Sequence, residues 1–175
     1  MASKMRVKKA IKQGTVSSIA LADSLLNKPG DFIVVRRGTD RNIIMLCPEG
    51  CGERIVLNLD RRVGPAWRFY DRKKGASLYP SVWRDTGCQS HFVLWNNNIY
   101  WIDDDSEYRW SIRKAKWLER KVYAVLSNKK YTHFTELADK IREIPWDVLD
   151  ACRELTAKHY AVEGIGDLKE MFKKI

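Results

Sequence analysis

Apolar positions along this chain alternate in short runs from residue 30 to residue 102, then recur at helical spacing beyond residue 114. The first pattern predicts strands. Phe32-Ile33-Val34-Val35-Arg36 is β-branched and bounded by Gly30 and Gly38. Asn42 to Cys47 and Arg54 to Leu59 follow, with turn residues between them. Ala66-Trp67-Arg68-Phe69-Tyr70 and Ser77 to Trp83 continue the series. Runs of this length between turn residues suit strands better than helices. Phe92-Val93-Leu94-Trp95 and Ile99-Tyr100-Trp101-Ile102 are joined by Asn96-Asn97-Asn98. Asparagine tolerates positive φ, so this pair reads as a hairpin.

The second pattern predicts helices. Leu118, Val122, Val125 and Leu126 share one helical face, and Thr132 to Ile141 forms a second helix. Pro145 opens a third, with Trp146, Val148, Leu149, Cys152 and Leu155 on its apolar side. Proline suits a first helical position because the N–H it lacks would go unused there. Tyr160 to Gly164 reads as strand and turn, and Asp167 to Lys174 as a last short helix. Three helices followed by a strand and a glycine-bearing turn resemble a winged helix-turn-helix.

The expected fold is therefore α+β: a small antiparallel, zinc-ribbon-like module followed by a helical, winged-helix-like module. Three segments result: a basic lead over 1–30, a β-rich module over 31–112 and the helical module over 113–175. The 45% hydrophobic content supports a real core. No run of eighteen apolar residues exists, which excludes a transmembrane helix. Val16 to Ala22 is a short apolar stretch cut off by Asp23. It reads as a short helix or docking segment rather than an export signal, so the chain is expected in the cytoplasm.

Four residues carry the candidate chemistry: Cys47, Cys51, Cys88 and His91. Two glycine-flanked turns, Cys47-Pro48-Glu49-Gly50-Cys51-Gly52 and Gly87-Cys88-Gln89-Ser90-His91, would aim thiolate and imidazole at one structural Zn²⁺. A closed shell of that kind leaves no position for water. If one cysteine stands aside, Glu49 can complete an open hydrolytic site. Cys88 and His91 as nucleophile and base are three residues apart on a turn, a spacing better suited to sharing a metal. Cys152, on the apolar side of the third helix, reads as core. The run Asp103-Asp104-Asp105 with Glu107 reads as a solvated turn.

Charge adds a partner class. The net charge is +10 and the isoelectric point about 9.5, which favours phosphates or acidic surfaces. Lys4, Arg6, Lys8, Lys9 and Lys12 precede any acid, and read either as a mobile terminus or as a nucleic-acid arm. Arg61, Arg62, Arg72, Lys73 and Lys74 form one candidate phosphate-facing cluster. Arg113, Lys114, Lys116, Arg120 and Lys121 form another, and Lys129 and Lys130 extend it. Six tryptophans between 67 and 117 could stack bases, but about four of them are expected in the core. The third helix carries Asp147, Asp150 and Glu154, which repel phosphate and argue against base reading by that helix.

The middle module also resembles an uncharacterised bacterial family with the motifs CPCGCGE, RW, SLYPSVW and GCxSHFW. The matching residues are Cys47-Pro48-Glu49-Gly50-Cys51-Gly52-Glu53, Ala66-Trp67-Arg68, Ser77-Leu78-Tyr79-Pro80-Ser81-Val82-Trp83 and Gly87-Cys88-Gln89-Ser90-His91-Phe92. Glu49 replaces the middle cysteine of the first motif. The resemblance covers about residues 30–102 and implies a gene neighbourhood of bacterial ubiquitin-like conjugation systems. Three readings follow. The first is a non-enzymatic zinc-binding adaptor that contacts nucleic acid through basic surface. The second is a protein-interaction accessory of a ubiquitin-like conjugation or antiphage defence system. The third is a zinc-dependent hydrolase.

Overall fold

The computed structural model describes residues 5–102 and 116–175. It divides into two compact units, Met1–Arg109 and Trp110–Ile175. The described residues are mixed α+β, with several small sheets and three α-helices. Among the described residues no helix is long and apolar enough to cross a membrane.

The first unit opens with β1 (Ile11–Val16), which pairs in parallel with β2 (Asp31–Arg37). Two short 3-10 turns, Ile19–Leu21 and Asp23–Leu25, lie in the connection between them. β3 (Thr39–Leu46) and β4 (Arg54–Asn58) complete an antiparallel series beside β2. β5 (Arg68–Arg72) pairs with β6 (Gly75–Tyr79). A third sheet has the order β7 (Val82–Trp83), β8 (His91–Trp95), β9 (Asn98–Trp101). The β8–β9 hairpin is as expected, with Asn96 and Asn97 both at positive φ (50° and 63°). Phe32, Met45, Leu57, Leu78, Phe92, Leu94 and Trp101 pack into one core between these sheets. All are 2% exposed or less, so one face of each sheet is dry.

The lead segment departs from expectation. It was expected to be a mobile or nucleic-acid-binding arm, but residues 11–16 form a strand, and Arg6 and Val7 before it are tied down. Val7 donates its N–H to Pro48 O (3.0 Å), and Trp101 Nε1 donates to Val7 O (3.3 Å). Arg6 lies over the Trp101 ring and pairs with Glu49, while Lys12 pairs with Asp71 at 2.6 Å. A parallel strand needs a crossover rather than a hairpin, so its partner is not adjacent in sequence. That is why local patterning did not find it. Of the six tryptophans between 67 and 117, Trp95 and Trp101 are buried, Trp67 is half-buried against the core, and Trp83 and Trp117 are 69% and 49% exposed. Trp110 and the acidic run Asp103, Asp104, Asp105 and Glu107 lie outside the described residues.

The second unit runs α1 (Lys116–Val125), β10 (Thr132–His133), α2 (Phe134–Ile141), α3 (Pro145–Ala157), β11 (Ala161–Glu163) and β12 (Met171–Lys174). Its sheet has the order β10-β12-β11. Pro145 opens α3 as expected, and His133 caps α2 by accepting a hydrogen bond from the Thr135 N–H. The expected last helix over 167–174 is instead a 3-10 turn at Gly166–Leu168 followed by β12. Ladder pairing with both β10 and β11 outweighs the weak helical pattern of so short a segment.

Burial, with Glu154 and Asp147 close by, raises the Asp150 carboxyl to about 6. Its charged form is thus disfavoured in the folded state. The penalty is absent below the ordinary carboxylate pKa, grows as pH rises toward 6, and is complete above it. The substitution Asp150→Asn removes it. Solvent screens this half-buried group, so the expected gain in Tm at pH 8 is about 3–5 °C. No gain is expected at pH 3.5, and thermal melts at the two pH values check the sign.

Candidate functional site

Three sulfurs converge in the first unit. Cys47 and Cys51 lie on the turn between β3 and β4, and Cys88 lies on the turn between β7 and β8. Their sulfurs all lie within 4.8 Å of one another. The first turn is closed by Cys47 N–H donating to Glu53 O (2.8 Å) and Gly50 N–H donating to Cys47 O (3.1 Å). Gly50 has φ +81° and Gly87 has φ +62°, which a side chain would strain. At Gly87 a Cβ would also sit 2.6 Å from a Glu53 carboxylate oxygen, which would have to shift.

Cys47 and Cys88 Sγ are 3.6 Å apart, and all four cysteines are free thiols. That spacing is close to the roughly 3.8 Å edge of a tetrahedron with metal–sulfur bonds of about 2.3 Å. The three residues can therefore hold a metal ion. Their environments differ. Burial pushes the Cys47 thiol up to about 11. Burial also acts upward on Cys88, but hydrogen bonds from the Ser90 side chain and backbone and from the other two thiols outweigh it, leaving Cys88 lowered to about 7. Arg84 Nη1 stands 3.4 Å from Cys88 Sγ and 3.7 Å from Cys51 Sγ, and its other nitrogen pairs with Glu53.

His91 and Glu49 do not join the sulfurs. Glu49 is buried and accepts a hydrogen bond from Arg6 Nε at 3.2 Å. His91, the first residue of β8, instead places Nε2 3.1 Å from Ser81 Oγ. The sheet register explains this pair. Trp83 is directly opposite His91, so Ser81, two residues earlier, is its diagonal neighbour on the same face. Val82 and Phe92 point the other way, into the core, and fix which face the pair occupies. Trp67 Nε1 donates to Ser81 O at 3.3 Å and holds the backbone there. The Trp83 indole lies against the imidazole, with ring centroids 5.9 Å apart. A serine hydroxyl within hydrogen-bond reach of an imidazole nitrogen is a nucleophile–base arrangement when Nδ1 carries the ring proton.

Residues 19–102 match the model of a family described as a bacterial ubiquitination-like system serine protease (BubE). The match covers just under half of the chain and spans the sulfur cluster and the Ser81–His91 pair. No curated protein and no solved structure matches the chain. The family description agrees with the gene neighbourhood that the motif resemblance implied. It favours the ubiquitination-like-system reading over the nucleic-acid adaptor.

Sequence reasoning did not single out Ser81, which the structure places at His91. The signal was present: Ser81 belongs to the SLYPSVW motif and His91 to the GCxSHF motif, and both types are apt for acyl transfer. Of the candidate nucleic-acid residues, Arg61 and Arg62 are exposed after β4, and Arg72, Lys73 and Lys74 are exposed at the β5–β6 turn. Lys116, Arg120 and Lys121 are exposed on α1, and Lys129 and Lys130 on the loop after it. Arg62 pairs with Asp60, and Lys121 with Glu143. Arg113 and Lys114 lie outside the described residues.

Titration with Co²⁺ tests the sulfur cluster. Thiolate-to-cobalt charge-transfer absorbance should saturate near one equivalent and be lost in Cys47→Ser and Cys88→Ser. It should persist in His91→Ala, whose imidazole faces Ser81. Loss of the band in His91→Ala with the fold intact would return that residue to the metal shell.

Proposed function

We propose that this protein is a serine acyl-transfer enzyme of a bacterial ubiquitination-like system. It cleaves or transfers the acyl linkage of a ubiquitin-like protein, with Ser81 as nucleophile and His91 as general base. The 3.1 Å contact between Ser81 Oγ and His91 Nε2 carries the reading. The family description, which names a serine protease, supports it over the same residues.

The step balances without an added redox partner. Ser81 Oγ attacks the substrate carbonyl while its proton passes to His91 Nε2. The carbonyl's bond to the leaving amine or alcohol breaks, and His91 returns the proton to that leaving group. Water or a second nucleophile then attacks acyl-Ser81, gives its proton to His91 and releases the serine hydroxyl. The exposed face of the pair lets a protein substrate reach it.

On this reading Cys47, Cys51 and Cys88 hold one zinc-class ion with a structural role. It ties the turn that leads into His91 to the β3–β4 hairpin. The second unit is read as winged-helix-like, and its order of helix, strand, two helices and two strands supports that reading. The acids on α3 suit it to protein contact better than to duplex reading.

A fluorophosphonate probe tests the proposal. It should label Ser81, identified by mass spectrometry of the tryptic peptide. Ser81→Ala should abolish labelling, and His91→Ala should slow it about a hundredfold or more. Circular dichroism and metal content should be unchanged in both variants. Undiminished labelling of Ser81→Ala, or none in the wild type, would remove serine chemistry from the account.

A further inference from the structure

β7 is an edge strand. The sheet order is β7-β8-β9, so only one side of β7 is paired within that sheet. The register shows which backbone groups are left over. Arg84 N–H donates to Ser90 O at 3.0 Å, which makes Trp83 and His91 a non-hydrogen-bonded pair. The Trp83 N–H and C=O therefore point away from β8. Neither has a hydrogen-bond partner among the described residues.

Among the described residues no strand pairs along that edge. β5 pairs with β6 from Arg68↔Tyr79 to Arg72↔Gly75, and β6 runs on toward β7 through Pro80 and Ser81. The strand beside β6 thus stops where β7 begins. Its last contact on that line is the Trp67 indole bonded to Ser81 O. Trp83 itself is 69% exposed, large for an indole in a β-rich unit. Proteins normally shield such edges, because unpaired strands recruit other strands.

The geometry points to this edge as the substrate-docking strand of the Ser81–His91 site: an extended peptide segment of the substrate adds beside β7 and bonds the Trp83 N–H and C=O. The inference rests on the acyl-transfer reading and specifies its substrate class as a backbone-presented, extended tail. Ser81 is two residues before Trp83, just ahead of β7, so along extended backbone its hydroxyl lies about 7 Å along the docked segment. A carbonyl about two residues from the Trp83-bonded position then meets the nucleophile. The indole covers the docked segment from the same face that carries Ser81 and His91. Backbone bonding supplies affinity in this mode, and side chains at alternate positions supply specificity.

The test compares an acetyl p-nitrophenyl ester with an N-acetyl-tetraalanyl p-nitrophenyl ester, alongside fluorophosphonate labelling of Ser81. Wild type should prefer the tetraalanyl ester by about tenfold or more in kcat/KM, the value of one or two net hydrogen bonds. N-methylation of alternate alanines should abolish that preference in one register and spare it in the other. Trp83→Phe should keep the preference. Trp83→Pro removes the outward N–H along with the indole and spares the β7–β8 bonds, which use Val82 and Arg84. It should lose the preference, read as the ratio of tetraalanyl to acetyl ester kcat/KM within the variant, so that any change in the basal rate cancels. A preference that survives Trp83→Pro, or equal rates for both N-methyl registers, overturns strand docking alone. Absence of Ser81 labelling in wild type overturns the acyl-transfer reading and this inference together.

Discussion

Everything at the site depends on holding two hairpin turns in one place. Cys47 and Cys51 come from the β3–β4 turn, and Cys88 comes from the β7–β8 turn, in a different sheet. Neither turn is long enough to bury an apolar cluster of its own. Bringing three sulfurs within 4.8 Å costs loop entropy that dispersion between thiols alone does not offset. A shared ion would offset it, because each thiolate bond would form only when the fold has already placed the others. Arg84 reinforces the arrangement from one side by facing Cys51 and Cys88 and pairing with Glu53. The lead strand reinforces it from another, through Val7 on Pro48 and Arg6 on Glu49.

The consequence for chemistry is positional. His91 follows Cys88 by three residues, and its ring position is set by where that turn exits into β8. Ser81 is set separately, by the β7 register and by the Trp67 bond to its carbonyl. A nucleophile and a base held by different supports keep hydrogen-bond distance only if both supports are rigid. A displacement of about 1 Å in such a pair can cost on the order of a hundredfold in rate. Removing the metal would thus depress activity without the ion touching substrate. Chelator sensitivity alone would mimic a zinc hydrolase, so acyl capture on Ser81 is the discriminating observation.

Much of this was legible in the chain. The strand and helix periods, the Asn96–Asn97 turn and the Pro145 start each have a local cause, and each formed as expected. The cysteine turns were legible because metal ligands occur at short spacings beside glycine. The placement of His91 was not legible. Within its own turn it stands at ligand spacing from Cys88, and only the pairing of β7 with β8 turns it toward Ser81. β1 was hidden for the same reason, since its partner lies across a crossover. Local pattern reads neighbours in sequence, whereas both misses are set by neighbours across a sheet. The helix expected at 167–174 failed on the same ground, because ladder bonds to β10 and β11 overrode a marginal local preference.

The distribution of charge bears on how such an enzyme would meet its substrate. A net charge of +10 raises encounter rates with acidic partners of any kind, so it does not by itself select nucleic acid. Selection must come from a surface with directional groups. The exposed arginines and lysines sit on turns and on α1, where long flexible side chains adapt to many partners. Some are already compensated, as Arg62 is by Asp60. The outward backbone of Trp83 is different, because its N–H and C=O have fixed positions and fixed spacing from Ser81. Long-range attraction can therefore be unspecific while the strand edge sets register. That division lets a small protein act on a defined tail without a deep pocket, since a docked strand needs only one open edge and one wall.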